Sequence, residues 1–168
     1  GVIVSLQNGI NEERIAELIG AGRTIGCVVH MAGACMEPGR VHGICGKGWG
    51  AFTVGELDGK DTPRAKRIAE LMGAAGVTHA TTTIWSPLWS KLALNVMTNA
   101  LSGLSGYATR ELWSNRQSVA LMARLGGETI RVAEAAGVTV GEVKPTGAPE
   151  PITPGLIKSV YEIGRAHV

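Results

Sequence analysis

The sequence has little net charge, few aromatic side chains and no long apolar run. Its 168 residues carry a formal net charge of +2, and aromatic residues make up 4% of the chain. A nucleic-acid surface needs clustered basic residues, whereas the basic residues here are scattered among acidic ones. A membrane-spanning helix needs about 20 consecutive apolar residues, and no segment offers them. We therefore predict no nucleic-acid partner and no membrane partner, while the 45% hydrophobic content predicts a globular core.

Cysteine is scarce as well, and its odd number argues against a disulfide framework. The chain has three cysteines, Cys27, Cys35 and Cys45. Unpaired thiols are typical of a reducing cytoplasm. The spacing of Cys27 with His30, followed by His42 with Cys45, invites a zinc interpretation. However, residues 26–31 are predicted to form a strand, where residues three apart point to opposite faces. We therefore predict a cytoplasmic protein without a metal site.

Alternating strand and helix patterns fill the first half of the chain. Residues 1–6 form an apolar run typical of a strand buried on both faces, and residues 10–19 have a helical pattern. Thr62 followed by Pro63 is typical of a helix start. This alternation predicts an α/β fold. The predicted elements are strands at 1–6, 26–31 and 77–83, helices at 10–19 and 62–72, and a hairpin of 41–46 with 51–55.

Strand signals end near Thr83, where we place a domain boundary, and helical patterns follow. One helix runs to about Gly103 or Gly106, a short helix covers residues 109–113, and a long amphipathic helix covers residues 114–136. The Gly126-Gly127 pair in the long helix permits either a close helix contact or a bend. Prolines between residues 145 and 154 then predict a stiff connection to a last helix.

The most informative segment is an otherwise apolar helix that carries one lysine and two asparagines. Residues four apart advance by about 40° around an α-helix, so Lys91, Asn95 and Asn99 form one polar stripe about 12 Å long. A lysine at the edge of an apolar surface can be desolvated, which lowers its pKa and makes it a better proton donor. The amides can hold hydroxyl or carboxylate oxygens of a small substrate. We expect the core-facing residues of this helix to be Leu88, Leu92, Val96 and Leu101.

A second interpretation of the stripe stays open. A long surface helix with a snorkelling lysine and two solvated asparagines has the same pattern.

Asn8 is a second candidate, because it follows the opening strand in the turn Gln7-Asn8-Gly9. In an open parallel sheet, ligands lie outside the carboxyl ends of the strands, which is where Asn8 is expected. Asn-Gly is also an ordinary turn dipeptide, so a purely structural role remains the alternative.

Taken together, Gln7-Asn8-Gly9 after a buried strand and Trp89-Ser90-Lys91-Leu92 followed by Asn95 and Asn99 resemble the ketopantoate reductase (2-dehydropantoate 2-reductase) family. The resemblance covers nearly the whole chain. It implies an N-terminal Rossmann domain, a C-terminal helical domain and reduction of a 2-oxo acid with NADPH. It also implies that Lys91 is the general acid, that Asn95 and Asn99 bind the substrate, and that Asn8 lies near the nicotinamide.

The same resemblance shows what the sequence does not contain. The family's Gly-x-Gly-x-x-Gly turn, which binds the cofactor pyrophosphate, has no counterpart, and the glycine-rich stretch 43–50 has the wrong spacing. The family's substrate-binding serine and later acidic residue are not matched either, because Ser159 fits the pattern poorly. Residues 163–168 match a translated sequencing adapter, so neither they nor Glu162 receive a role. We therefore expect a fragment that lacks both ends, with low activity of its own.

The sequence thus predicts the C-terminal part of a Rossmann-type parallel-sheet domain for NADP at residues 1–83, followed by a truncated helical substrate domain at residues 84–168. The expected partner is a small 2-oxo acid, and a homodimer is compatible with the sequence. Two alternatives are a reductase of another 2-oxo acid and a non-catalytic binding or dimerisation module of the same fold.

Overall fold

The computed structural model describes residues 1–43, 50–141 and 157. Contacts between Cα atoms divide the chain into two compact units, Gly1–Trp85 and Ser86–Val168. Each unit is described by itself below.

The first unit is built on a four-stranded sheet with the order β1-β2-β5-β6. A separate two-stranded sheet consists of β3 and β4, and two helices accompany the strands. The elements in chain order are β1 (Ile3–Val4), α1 (Glu12–Ile19), β2 (Thr24–Val29), β3 (Gly33–Glu37), β4 (Arg40–Gly43), β5 (Gly50–Glu56), α2 (Pro63–Met72) and β6 (Val77–Ala80).

The direction of each strand follows from the segment that connects it to its neighbour. Helix α1 connects β1 to β2, and α2 connects β5 to β6, and both strand pairs are parallel. A helical crossover is the usual way to return a chain parallel to itself. The described part of the connection from β2 to β5 contains a hairpin instead, and these two strands are antiparallel. The sheet is therefore mixed, and the predicted α/β class is confirmed.

The predicted hairpin of residues 41–46 with 51–55 is wrong for the residues that are described. Strand β4 pairs with β3, while both edges of β5 are occupied by β2 and β6. The local pairing is favoured by the turn at Pro38-Gly39, where Gly39 has a φ of +78° that side chains rarely tolerate. Residues 44–49 lie outside the described part of the chain.

The opening strand is also shorter and more exposed than its apolar sequence predicts. Strand β1 lies at one end of the strand order and pairs with β2. The exposed fraction of Ile3 is 46%. In the described sheet β1 is therefore an edge strand with an exposed Ile3, whereas its apolar sequence is typical of a strand buried on both faces.

Helix α2 covers one face of the sheet. Ile25 and Cys27 of β2 and Val54 of β5 are buried in one cluster with Ala69 of α2. Helix α2 begins where it was predicted, because the Thr62 hydroxyl accepts the N–H of Ala65 at 3.2 Å and proline occupies the first helical position.

An ion pair joins the start of α2 to the end of β5. Arg64 donates to both carboxylate oxygens of Glu56, from Nε to Oε1 at 2.7 Å and from Nη2 to Oε2 at 2.5 Å. Its Nη1 donates to the Gly22 carbonyl, and the Thr62 hydroxyl donates to Glu56 Oε1. Glu56 is only 4% exposed. The hydrogen bonds from Arg64 hold the pKa of Glu56 below its ordinary value.

On the opposite face, two paired glycines leave room for the segment that leads out of the sheet. Gly26 of β2 and Gly55 of β5 lie directly opposite each other. A Cβ on Gly55 would lie 2.5 Å from the Thr81 carbonyl oxygen, and a Cβ on Gly26 would lie 2.8 Å from Cγ1 of Ile84. Ile84 is 1% exposed. Glycine at both positions therefore allows Ile84 to lie directly against the sheet.

Trp85 ends the first unit and begins the helix α3 (Trp85–Ser105). Its indole N–H donates to the Leu57 carbonyl at 2.9 Å. This hydrogen bond and the buried side chain of Ile84 hold the residues at the start of α3 against the first unit.

The described part of the second unit is helical. Helix α3 is followed by α4 (Thr109–Ser114) and α5 (Arg116–Ala135). Helix α5 is capped at its N-terminus by Asn115, whose side-chain oxygen accepts the N–H groups of two residues in the first turn. The residues of α3 and α5 that are buried in the core of this unit are Ala93, Met97, Met122, Ile130 and Ala133.

The glycine pair in α5 serves close helix packing. Helix α5 runs without interruption through Gly126 and Gly127, both of which are buried. A Cβ on Gly126 would lie 2.6 Å from Sδ of Met97 in α3. Of the two possibilities that the sequence left open, a close contact and a bend, the structure therefore has the close contact.

The helical character predicted after residue 83 is confirmed for the described residues. Within those residues, no helix combines the length and the hydropathy required to cross a membrane.

The close packing against Gly26 and Gly55 gives a stability prediction. We expect Gly55→Ala to lower the free energy of unfolding by about 1–3 kcal/mol, because the new Cβ must displace a backbone carbonyl rather than a flexible side chain. Gly22→Ala is the matched control, since a Cβ there meets nothing within 4 Å. Its expected effect is within about 0.5 kcal/mol. Urea unfolding of the two variants measures both free energies of unfolding. Equal values for the two variants would contradict the claim that the sheet has no room for a side chain at Gly55.

Candidate functional site

Lys91, Asn95 and Asn99 share one face of α3, and this face points away from the core of the second unit. The core side of α3 is defined by Ala93 and Met97, which are buried. On a regular helix, Lys91 and Asn95 each lie about 160° from Ala93. The stripe therefore leaves the core packing of its own unit undisturbed and presents one ammonium and two amides together.

The stripe is partly sheltered at one end and open at the other. Lys91 and Asn95 are half-buried, and Asn99 is exposed. The Thr98 hydroxyl donates to the Leu94 carbonyl at 2.9 Å, as is common for threonine within a helix. It also lies 3.3 Å from Oδ1 of Asn99. Oδ1 of Asn99 thus lies beside the Thr98 hydroxyl at the exposed end of the stripe.

The apolar side of α3 differs from its predicted composition. Leu101 does pack against the core, but Leu92 and Val96 are only half-buried. Leu88 is 3% exposed. On a regular helix it nevertheless lies within about 20° of Asn95, so it belongs to the face of the stripe. The core face is rotated relative to the prediction because the close approach at Gly126 selects Met97 as the residue in contact with α5.

Asn8 lies in the first unit, in the turn that follows β1, and is exposed. The next residue, Gly9, has a φ of +93°, a conformation that favours glycine. The backbone carbonyl of Asn8 accepts a hydrogen bond from Nδ2 of Asn11 at 2.8 Å. Asn8 belongs to one unit and the Lys91 stripe to the other, and their common site remains a prediction.

A buried carboxyl group lies just after this turn. Glu12, the first residue of α1, is 0% exposed. Its Oε2 accepts the backbone N–H of Asn11 at 3.0 Å. Its Oε1 and the nearby hydroxyl of Ser5 are buried without a hydrogen-bond partner among the described residues. Burial raises the pKa of Glu12 above its ordinary value, and hydrogen bonding from backbone N–H groups partly opposes that effect.

The sequence carries little sign of the roles of Asn11 and Glu12. An acidic residue in the first turn of a helix is common, because it interacts favourably with the positive end of the helix dipole. The pattern Asn11-Glu12-Glu13 therefore does not reveal which glutamate is buried. Glu12 lies against β2, where a Cβ on Gly26 would be in ordinary van der Waals contact with Cγ of Glu12 at 3.6 Å.

The other polar residues named in the sequence analysis do not form a further site within the described part of the chain. Arg40 pairs with Glu37 on the hairpin at 3.1 Å. The described residues contain no group of three or more His, Cys, Asp or Glu side chains that could hold a metal ion. Lys47, Ser159 and Glu162 lie outside the described residues.

The two buried glutamates of the first unit should respond to pH in opposite directions. Because the pKa of Glu12 is raised, its contribution to stability is present below pH 4.5 and is lost as the pH rises through its folded-state pKa. Because the pKa of Glu56 is lowered, its contribution is present above pH 4.5 and is lost as the pH falls. Glu12→Gln should therefore reduce the decline in the free energy of unfolding as the pH rises. Glu56→Gln should reduce the decline in the free energy of unfolding as the pH falls.

The measurement is the free energy of unfolding from about pH 3 to about pH 8, a range that extends to both sides of the ordinary glutamate pKa of 4.5. The two variants control for each other, since each should change the limb assigned to its own glutamate and leave the other limb unchanged. A Glu12→Gln profile that runs parallel to that of the unsubstituted chain would contradict the assignment.

Comparisons with known proteins place the chain in a family. The model described as "Ketopantoate reductase PanE/ApbA C terminal" matches residues 83–166. The 2-dehydropantoate 2-reductase of Halobacterium salinarum is 31% identical over 144 residues, which cover 84% of this chain and 46% of that protein. The crystal structure of 2-dehydropantoate 2-reductase from Geobacter metallireducens is similar with a TM-score of 0.70 and 28% identity, covering 99% of this chain and 52% of that one.

A more distant structure shares the fold alone. The complex of D-mandelate dehydrogenase with NADH has a TM-score of 0.70 at 20% identity, and it covers 95% of this chain and 50% of that one. The chain spans about half the length of the curated relatives that it matches. Both the family model and the identity to a curated relative over most of the chain assign it to one group, and the chain therefore belongs to the ketopantoate reductase family.

Proposed function

We propose that this chain is part of an enzyme that reduces a 2-oxo acid with NADPH, and that the substrate is 2-dehydropantoate. The observation that carries the proposal is the face of α3 on which Lys91, Asn95 and Asn99 lie together, away from the core of their unit. This face falls within the residues that match the family model. The curated relatives with which the chain shares about 30% identity are named 2-dehydropantoate 2-reductase.

Lys91 is the proposed general acid. When a ketone accepts hydride at carbon, negative charge develops on its oxygen, and a cation that can donate a proton there lowers the barrier. An ammonium group provides both the charge and the proton. The half-buried position of Lys91 supports this role, because partial removal from water strengthens its interaction with the developing charge.

Asn95 and Asn99 are the proposed substrate-binding residues. Each amide offers two donors and one acceptor, which suits the carboxylate and hydroxyl groups of a hydroxylated 2-oxo acid. Because the three residues follow one another at intervals of one helical turn, about 6 Å apart, a small substrate can contact Lys91 and one or both amides at once.

NADPH is the proposed cofactor, and it supplies the hydride when bound. Within this chain, Asn8 is the residue assigned to it. The exposed side chain of Asn8 and its constrained backbone fit a contact with the nicotinamide end of the cofactor, since a polar group in a fixed turn can orient a bound ring. The phosphate-binding turn of the family has no counterpart in the sequence, so no residue is assigned to the phosphates.

Two other functions remain as alternatives. A reductase of another 2-oxo acid is one, since D-mandelate dehydrogenase has the same fold. A non-catalytic binding or dimerisation module is the other. Assays of the full-length protein with NADPH or NADH and a panel of 2-oxo acids separate the three. Preference for 2-dehydropantoate supports the proposal. Preference for another 2-oxo acid supports the alternative reductase, and an absence of turnover supports the non-catalytic module. The cytoplasmic location and the homodimer remain predictions.

Replacement of Lys91 tests the mechanism directly. In the full-length protein, Lys91→Ala should lower kcat by about 10²-fold or more, because general acid catalysis contributes about that factor. The KM for the 2-oxo acid should change much less than kcat. Steady-state oxidation of NADPH, followed by absorbance, measures both parameters.

Lys66→Ala is the matched control, since Lys66 is an exposed lysine of α2 that pairs with Asp61 at 2.7 Å. Its kcat should equal that of the unsubstituted enzyme. Unchanged turnover in Lys91→Ala would remove Lys91 from the mechanism.

A further inference from the structure

We infer that Asn11 and Glu12 are positioning residues that hold the Asn8 turn in the geometry needed for cofactor binding. The inference rests on the proposed function, which assigns Asn8 to the cofactor. Neither residue needs to touch the cofactor itself, because each acts through the backbone of the turn.

The first contact in this chain of interactions is the side chain of Asn11. Its Nδ2 donates to the carbonyl oxygen of Asn8 at 2.8 Å. This hydrogen bond spans the turn through Gly9, whose positive φ directs the backbone back toward α1. Asn11 therefore limits the rotation of the peptide unit that follows Asn8.

The second contact fixes Asn11 itself. The Glu12 carboxylate accepts the backbone N–H of Asn11 at 3.0 Å. The stem of Glu12 lies against β2 in turn, because its Cγ would be in ordinary van der Waals contact, at 3.6 Å, with a Cβ on Gly26. The exposed turn is thus connected through Asn11 and Glu12 to the buried face of the sheet.

Two further buried atoms indicate that stability alone does not explain a carboxyl group at Glu12. Glu12 Oε1 and the Ser5 hydroxyl are buried without hydrogen-bond partners in the described part of the chain. A buried polar atom without a partner lowers stability, whereas an apolar side chain of similar size would fill the same space at no such cost. The acceptor that Oε2 offers to Asn11 is the contact that an apolar residue could not make.

The test uses kinetics of the full-length enzyme. Asn11→Ala and Glu12→Ala should each raise the KM for NADPH about 3- to 10-fold, the range expected for one lost hydrogen bond. Glu12→Gln, which keeps an acceptor oxygen, should restore the KM to within about 2-fold of the unsubstituted value. Glu13→Ala is the matched control from the exposed side of the same helical turn and should leave the KM unchanged. If Glu12→Ala does not fold, Asn11→Ala, at a half-buried position, still carries the test.

The same substitutions in an Asn8→Ala background separate this inference from the proposed function. If Asn8→Ala raises the KM for NADPH and Asn11→Ala adds nothing further to it, the two residues act through Asn8 and the inference is supported. Two results would overturn the inference while the role of Asn8 stands. In both, Asn8→Ala raises the KM for NADPH. In the first, Asn11→Ala and Glu12→Ala have no effect on that KM, and in the second, Asn11→Ala adds its full effect in the Asn8→Ala background. If Asn8→Ala has no effect, the assignment of Asn8 fails, and the inference fails with it.

Discussion

The structure depends on the space left by two missing side chains in the middle of a sheet. Gly26 and Gly55 are paired across β2 and β5, and the backbone of Thr81 and the side chain of Ile84 occupy the space where their Cβ atoms would lie. Any other residue at Gly55 would meet a backbone carbonyl. The stem of Glu12 lies against the same face of β2, where a Cβ on Gly26 would be in ordinary contact with it.

A second close contact determines which side of α3 carries the polar stripe. Met97 lies against Gly126 of α5, and this contact fixes the rotation of α3 about its own axis. With Ala93 and Met97 toward the core, Lys91, Asn95 and Asn99 must lie on the far side of the helix. Small residues at both contacts thus place the polar groups of the candidate site, although none of the glycines takes part in its chemistry.

Local patterns predicted much of this architecture, and long-range pairing explains most of what they missed. The start of α2 was evident from Thr62 and Pro63 because a helix cap is a local interaction, and the stripe was evident because helical spacing is regular. The partner of β4 was not evident, because it depends on whether the edges of β5 are already occupied. The burial of Glu12 was hidden for a similar reason, since it depends on packing against a strand that lies elsewhere in the sequence. The core face of α3 was misjudged because the sequence does not show that α5 approaches through Gly126.

The central claim is that the face of α3 containing Lys91 binds the 2-oxo acid. The most direct measurement is a crystal structure of the full-length protein with NADP and 2-dehydropantoate or its 2-hydroxy product. The account predicts Nζ of Lys91 at hydrogen-bonding distance, about 2.7–3.2 Å, from the oxygen on carbon 2, with the amide of Asn95 or Asn99 in contact with the same molecule. A well-ordered ligand bound elsewhere, with Lys91 beyond the reach of a hydrogen bond or a bridging water, would contradict it.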